Sequence, residues 1–296
     1  MRDERGVARR PALLTLAPGG DTWLRDGRPW SPPRDLYVVA GRPVHASLSP
    51  RMQQAALDAA GIAADYLALD LAPAQWPRLR AAAGRLGLRG CNVTVPYKET
   101  VVPLCTRLTP EARRLGAVNT VRVGEDGAWE GHNTDLGGVA DVVARLWQGE
   151  PGEALVCGAG GAARAAVAAL VDAGWQVTVA ARTGPSRRRL ERWLAAGTAV
   201  PDGSVRVRDW RTGAAAAPHL VVVAVAGGVD AAPAVGRPRP ETVWLDLRYG
   251  ASLVPPPAEV VTWRDGRALL VAQGERSFRW WHGRPAPAGV MAAAVG

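Results

Sequence analysis

Ala154-Leu155-Val156-Cys157-Gly158-Ala159-Gly160-Gly161-Ala162-Ala163-Arg164 decides the fold of this chain. Four apolar residues read as a buried strand, a glycine-rich turn follows, and Ala165 to Ala173 continue as a helix that Gly174 ends. Glycines let the backbone approach a pyrophosphate closely, and the helix start offers unpaired N–H groups and the positive end of its dipole. A glycine fingerprint alone is weak. Here a strand precedes it, a helix follows, and Gln176 to Ala180 supply the next strand at βαβ distance. That second strand runs into Ala181-Arg182-Thr183, with arginine where a carboxylate would accept from the ribose of NAD. A guanidinium there favours the 2′-phosphate of NADP by charge and two-point geometry. Arg187 to Arg189 read equally as further phosphate contacts or as a solvated helix start. Leu220 to Ala226 and Val243 to Leu247 are further buried strands.

Upstream, strands and helices alternate again, implying a second α/β unit with a largely parallel sheet. Leu36 to Ala40 and Asp65 to Leu71 read as strands, Met52 to Ala60 and Ala72 to Leu86 as helices. Gly90 to Val101 reads as a strand broken by Pro96, Leu104 to Leu115 as a helix, and Val118 to Val123 as a strand. Residues 1–34 are rich in Arg, Gly and Pro and read as an extension containing a short hairpin. Ser49-Pro50 suits a helix N-cap followed by proline at the first helical position, which would leave Ser47 free on an extended segment.

Rare residues mark the chemistry. The chain has 36 basic residues, of which Lys98 is the sole lysine. Arginine keeps its proton, whereas a lysine can be shifted until it shares one, so an isolated lysine suits acid–base work. Chance survival on a solvated surface is the alternative. Asn92, Asn119 and Asn133 are the chain's asparagines and fall in the same region of sequence. Asp135, just after Asn133-Thr134, reads as a helix N-cap, as a functional carboxylate, or as both.

Composition limits the classes. With 48% hydrophobic and 21% charged residues, 296 residues fit two medium globular domains. The net charge of +9 is spread along the chain, and no focused basic stripe or nucleic-acid motif occurs, so nucleic acid is not an expected partner. Cys91, Cys105 and Cys157 form no CxxC pair and do not group with the four histidines, so reduced thiols and no metal site are expected. No apolar run is long enough for a signal sequence or a membrane span, and a cytoplasmic location is expected.

Taken together, the motifs resemble the shikimate dehydrogenase family from about Val38 to Gly283. They occur in order: Ser47-Leu48-Ser49-Pro50, Asn92 to Lys98, Gly116 to Thr120, Asn133-Thr134-Asp135, Gly158 to Ala162, Asp246 to Tyr249, and Gly266 to Gln273. The resemblance implies an N-terminal α/β substrate domain (35–137 with about 269–296), a Rossmann dinucleotide-binding domain (138–268), and a C-terminal helix returning to the first. It implies Lys98 and Asp135 as a catalytic pair, and Ser47, Ser49, Thr94, Asn119, Tyr249 and Gln273 around a cyclohexene carboxylate substrate. Gly158, Ala159, Gly160, Gly161, Ala162, Arg182 and Thr183 become NADP contacts, with Leu247 and Gly266 bordering the nicotinamide. It further implies a monomer or homodimer in the shikimate pathway of aromatic amino acid biosynthesis.

Departures from the family pattern lie mostly on the cofactor side. Val223-Ala224-Val225-Ala226 stands for Asn-Ala-Thr-Ser, and Ala181 for an Asn. Gly250 and Leu253 replace a Pro and a Thr, while Ala46 and Gln53-Gln54 replace a His and a His-Asn pair. These leave quinate, an amino-substituted analogue, or a redox-silent binding role as competing readings of the same wall.

Overall fold

A computed structural model of the chain describes residues 13–182, 184–196, 200–201, 203–212 and 217–296. They divide into two compact units. One runs through Ala112 and resumes at Ala117–His132 and Ser277–Val295; the other comprises Arg113–Gly116 and Asn133–Arg276, with the terminal glycine. Thr183, expected at the nucleotide, lies outside the described residues.

The first unit opens with β1 (Leu13–Leu16), β2 (Trp23–Arg25), β3 (Arg28–Trp30) and β4 (Asp35–Gly41). It continues through α1 (Ser49–Ala59), β5 (Ala64–Asp70), α2 (Trp76–Ala82), β6 (Leu88–Val93), β7 (Arg107–Leu108), α3 (Pro110–Leu115), β8 (Thr120–Val123) and β9 (Trp129–His132). The nine strands form one sheet in the order β3-β2-β1-β5-β4-β6-β8-β9-β7. Strands β1, β5, β4 and β6 are parallel, while β8 runs antiparallel to both β6 and β9.

From Leu13 onward the extension is part of this sheet. Leu14, Leu16 and Trp23 are buried, and the Trp23 indole Nε1 donates to the Leu86 carbonyl at 2.8 Å. Asp26 and Gly27, both with positive φ, turn β2 into β3, as an Asp-Gly hairpin should.

Several helix expectations shorten, for reasons proline explains. The segment 72–86 is a 3-10 turn at Pro73–Gln75 followed by α2, which ends at Ala82 before Gly84. The expected helix from Leu104 instead holds β7, paired with β9, and Pro110 opens the brief α3. Strand β6 stops at Val93 and residues 95–100 turn, because Pro96 has no N–H for a ladder.

The second unit contains α4 (Asp135–Leu146), β10 (Glu153–Cys157), α5 (Gly161–Asp172), β11 (Gln176–Ala181), α6 (Pro185–Ala195) and β12 (Val205–Asp209). Then come β13 (Leu220–Val223), α7 (Ala232–Val235), β14 (Val243–Asp246), β15 (Thr262–Arg264) and α8 (Arg267–His282). The unit division falls within α8, and the closing helix α9 (Val290–Val295) belongs to the first unit, where it packs on α1. All six strands of the second sheet are parallel in the order β12-β11-β10-β13-β14-β15. Numbered within the unit this is 3-2-1-4-5-6, the doubly wound dinucleotide fold, in which β10 and β13 are neighbours and the strand order reverses between them, the switch point at which such sheets bind a dinucleotide. Strands β12, β9 and β15 had no clear signal in the sequence. Among the described residues no helix is long and apolar enough to cross a membrane.

Candidate functional site

In the first unit, the turn after β6 carries Thr94 and Lys98. Thr94 N–H donates to Ala40 O at 2.9 Å, and the Lys98 carbonyl accepts Val118 N–H at 2.8 Å. Tyr97 between them points inward, its hydroxyl donating to Leu71 O at 2.8 Å. One buried tyrosine thus pins the turn, while Lys98 stays half-exposed at its rim. Asn119, just before β8, is buried, and its carbonyl accepts Val93 N–H at 2.8 Å. Thr94, Lys98 and Asn119 are therefore brought together by the β6–β8 pairing rather than by nearness in sequence.

Asn92 joins these segments. Its Oδ1 accepts the Tyr66 hydroxyl at 2.6 Å. Its Nδ2 lies 3.2 Å from Asn119 O, 3.1 Å from Thr120 Oγ1 and 3.1 Å from Ser277 Oγ. Thr120 Oγ1 donates to Asn119 Oδ1 at 3.0 Å, and Ser277 Oγ lies 2.9 Å from Thr120 Oγ1. Asn119, expected at the substrate, thus stands on a buried polar network, where each satisfied bond contributes on the order of 1 kcal/mol and an unsatisfied one costs more. Tyr66, Thr120 and Ser277 were missed in the sequence; the rarity of asparagine was the signal that could have led to them.

The serines differ from expectation. Helix α1 begins at Ser49 itself with Leu48 at the cap position, so Ser49 is not the N-cap. Ser47 is not free: its Oγ accepts Ser49 N–H at 3.3 Å, as a turn rather than an extended segment allows. Gln54 is structural, holding Asp58 and Ala64 O through Nε2 and Tyr66 N–H through Oε1.

In the second unit, Asp135 is 3% exposed and is the first residue of α4, not its cap. Asn133 performs the capping: its Oδ1 accepts Asp135 N–H at 3.1 Å and Leu136 N–H at 3.4 Å. The Asp135 side chain therefore stands in the first turn of α4. Thr134 Oγ1 donates to Gln273 Oε1 at 3.4 Å, and Gln273 Nε2 donates to Leu270 O at 2.9 Å. Asp135 and Gln273 therefore belong to one neighbourhood, built by α4 and α8.

The glycine turn has the shape its residues suggest. Gly158 has φ +131°, open to glycine alone, and a Cβ there would collide with the Ala224 carbonyl. Ala159 and Gly160 follow, and Gly160 is the extended cap residue from which Gly161 and Ala162 start α5. Arg182 is exposed directly after β11. Arg187 is committed elsewhere, to Glu191 at 2.8 Å and Asp209 at 3.6 Å. Leu247 N–H donates to Val223 O at 2.9 Å, Gly266 N–H donates to Arg248 O at 2.7 Å, and Tyr249 follows half-buried. Burial pushes the Cys105 and Cys157 thiols up to about 12, which disfavours their thiolate forms.

A 3-2-1-4-5-6 sheet with a pyrophosphate-shaped first turn, joined in one chain to a second α/β unit, defines the class of two-domain nicotinamide-dependent dehydrogenases. Comparison makes this particular. The family model described as Shikimate dehydrogenase substrate binding domain matches residues 39–121, and that of the Shikimate 5′-dehydrogenase C-terminal domain matches residues 266–295. The chain is 41% identical to the shikimate dehydrogenase (NADP(+)) of Anaeromyxobacter sp. (strain Fw109-5), over 88% of this chain and 95% of that protein. Shikimate 5-dehydrogenase from Thermus thermophilus, solved in complex with NADP(H) and shikimate, has TM-score 0.70 and 31% identity, covering 88% of this chain and 98% of that one. A 5-ketofructose reductase of Gluconobacter sp. strain CHM43 has TM-score 0.72 and 25% identity, covering 88% and 98%. The chain belongs to the shikimate dehydrogenase family.

Proposed function

We propose that this protein is an NADP-dependent shikimate dehydrogenase, interconverting 3-dehydroshikimate and shikimate, with Lys98 and Asp135 as its acid–base pair. The observation that carries the chemistry is that the chain keeps a sole lysine and, in its other unit, a buried aspartate at the start of α4. The residues fit the dinucleotide: Gly158 leaves room that a Cβ would fill, Gly160 to Ala162 open a helix N-terminus, and Arg182 supplies a cation for a 2′-phosphate.

NADPH supplies the hydride. Lys98 and Asp135 hold and deliver the proton that the ketone oxygen takes as its charge develops, and they recover it in the reverse direction. Ser47, Ser49, Thr94, Asn119, Tyr249 and Gln273 orient the ring hydroxyls and carboxylate. The protein works in the cytoplasm as a monomer or homodimer, with no nucleic-acid partner. Quinate or an aminoshikimate is the second reading, favoured by the apolar Val223 and Val225 and by the 5-ketofructose reductase built on a similar scaffold.

The test is absorbance at the reduced-nicotinamide band after purified protein meets shikimate, then quinate and aminoshikimate, each with NADP and then with NAD. Reduction of NADP is expected. Reduction with quinate but not shikimate would transfer the assignment to the second reading, and no reduction by folded protein would sink both.

A further inference from the structure

Between Leu247 and Tyr249 lies Arg248, 7% exposed, a residue type almost never buried without a partner. Its N–H and Nε both donate to Asp246 Oδ1 at 2.9 Å, and Nη2 donates to Asp246 Oδ2 at 2.7 Å. The carboxylate it holds is fully buried. Nη1 turns away from Asp246 and donates to Val229 O at 2.7 Å, in the loop joining β13 to α7. One planar group therefore ties the end of β14 to that loop, a fork that only a guanidinium provides.

Other contacts converge on the same two segments. Gly228 N–H donates to Ser252 O at 3.3 Å, and a Cβ on Gly266 would collide with the Leu247 carbonyl. At its other end the loop abuts the pyrophosphate turn, since Gly158 meets the Ala224 carbonyl. Val223, Ala224, Val225 and Ala226 carry no polar side-chain atom, so this stretch has no side-chain hydrogen bond of its own with which to hold its place.

We infer that Arg248 is a positioning residue for hydride transfer: by linking Asp246 to the Val229 carbonyl, it sets where the 224–231 loop stands against Leu247 and Tyr249. The inference rests on the NADP-dependent reading above. Leu247 and Gly266 border the nicotinamide in that reading, and Tyr249 meets the substrate. Misplacing them by about an ångström costs up to a hundredfold in rate without any contact to the nucleotide phosphates being lost.

The full chain carrying Arg248→Lys tests this. Lysine keeps a cation beside Asp246, so no bare buried carboxylate remains, but a single ammonium cannot hold both carboxylate oxygens and Val229 O. A second variant, Asp246→Leu with Arg248→Met, removes both charges together and covers the case in which lysine is not tolerated. Each is measured for thermal midpoint, for NADP+ affinity by quenching of tryptophan fluorescence, for kcat with shikimate, and for the emission of bound NADPH. The expected result is a folded variant with NADP+ affinity within about threefold of wild type, kcat lowered about tenfold or more, and altered NADPH emission. Unchanged kcat and emission in either folded variant would overturn the inference. Should the wild-type protein turn over no shikimate, the proposed function fails, and NADPH emission in the variants still decides the role of Arg248.

Discussion

The Thr120 hydroxyl donates to Asn119 Oδ1 at 3.0 Å, so the carboxamide of a proposed substrate contact is oriented by its own neighbour in the chain. Its carbonyl oxygen turns toward the Thr120 hydroxyl. Replacing that hydroxyl with a methyl removes the orienting bond at nearly constant volume. Thr120→Val is expected to raise the KM for shikimate about tenfold, with a smaller effect on kcat, since about 1.4 kcal/mol of binding is lost. Steady-state kinetics on folded protein checks it; an unchanged KM would separate Thr120 from Asn119.

Lys98→Arg keeps the charge and removes the ability to share a proton. Turnover is expected to fall about a hundredfold or more, in line with a general acid–base group. Single-turnover rates with shikimate decide the point, and near-normal rates would remove Lys98 from the chemistry.

Arg182 stands exposed at the end of β11. Arg182→Ala is expected to weaken NADP+ binding about tenfold or more while leaving NAD+ nearly untouched, because only the former presents a 2′-phosphate to a guanidinium. Titration with both nucleotides is the measurement; equal losses would contradict the 2′-phosphate contact.

His282, at the end of α8, packs against Phe278 and Tyr37 with ring centroids 4.5 Å and 5.2 Å away. Its Nε2 is buried with no hydrogen-bond partner among the described residues. Burial, reinforced by the positive Arg284, holds its pKa below the ordinary value of 6.5. A folded-state pKa below the unfolded one means that the unfolded chain binds the extra proton first. The stability is whole above about pH 6.5 and is lost as pH falls from there toward the folded-state value. Urea unfolding at about pH 8 and about pH 5 should show a steeper acid loss for wild type than for His282→Phe. Parallel losses would rule His282 out.

How far the sequence could be read depended on distance along the chain. The pyrophosphate turn was legible because strand, glycines and helix fall within about twenty residues, and each is set by local periodicity and φ preference. The serine pair was misread because capping depends on where α1 starts, and the chain reaches Ser49 in a turn that hands the N–H to Ser47. Asn92 was marked by rarity alone; its partners Tyr66, Thr120 and Ser277 lie as far as 185 residues away. Arg248 gave no signal, since nothing in Asp246-Leu247-Arg248-Tyr249 distinguishes a surface arginine from a buried one.

By itself the sequence determined the α/β alternation, the dinucleotide turn and the lone lysine, because strand period, turn chemistry and residue choice are properties of short windows. Only the tertiary structure decided that Asn133 caps α4 in place of Asp135, that Asn119 rests on Thr120 and Asn92, and that Arg248 closes on Asp246 and Val229. The physical reason is that a polar side chain takes the partner that helix start, strand register and packing present to it: near neighbours such as Asn133 and Asp135 or Asn119 and Thr120 meet only once those are set, and Asn92 and Val229 come from farther along the chain.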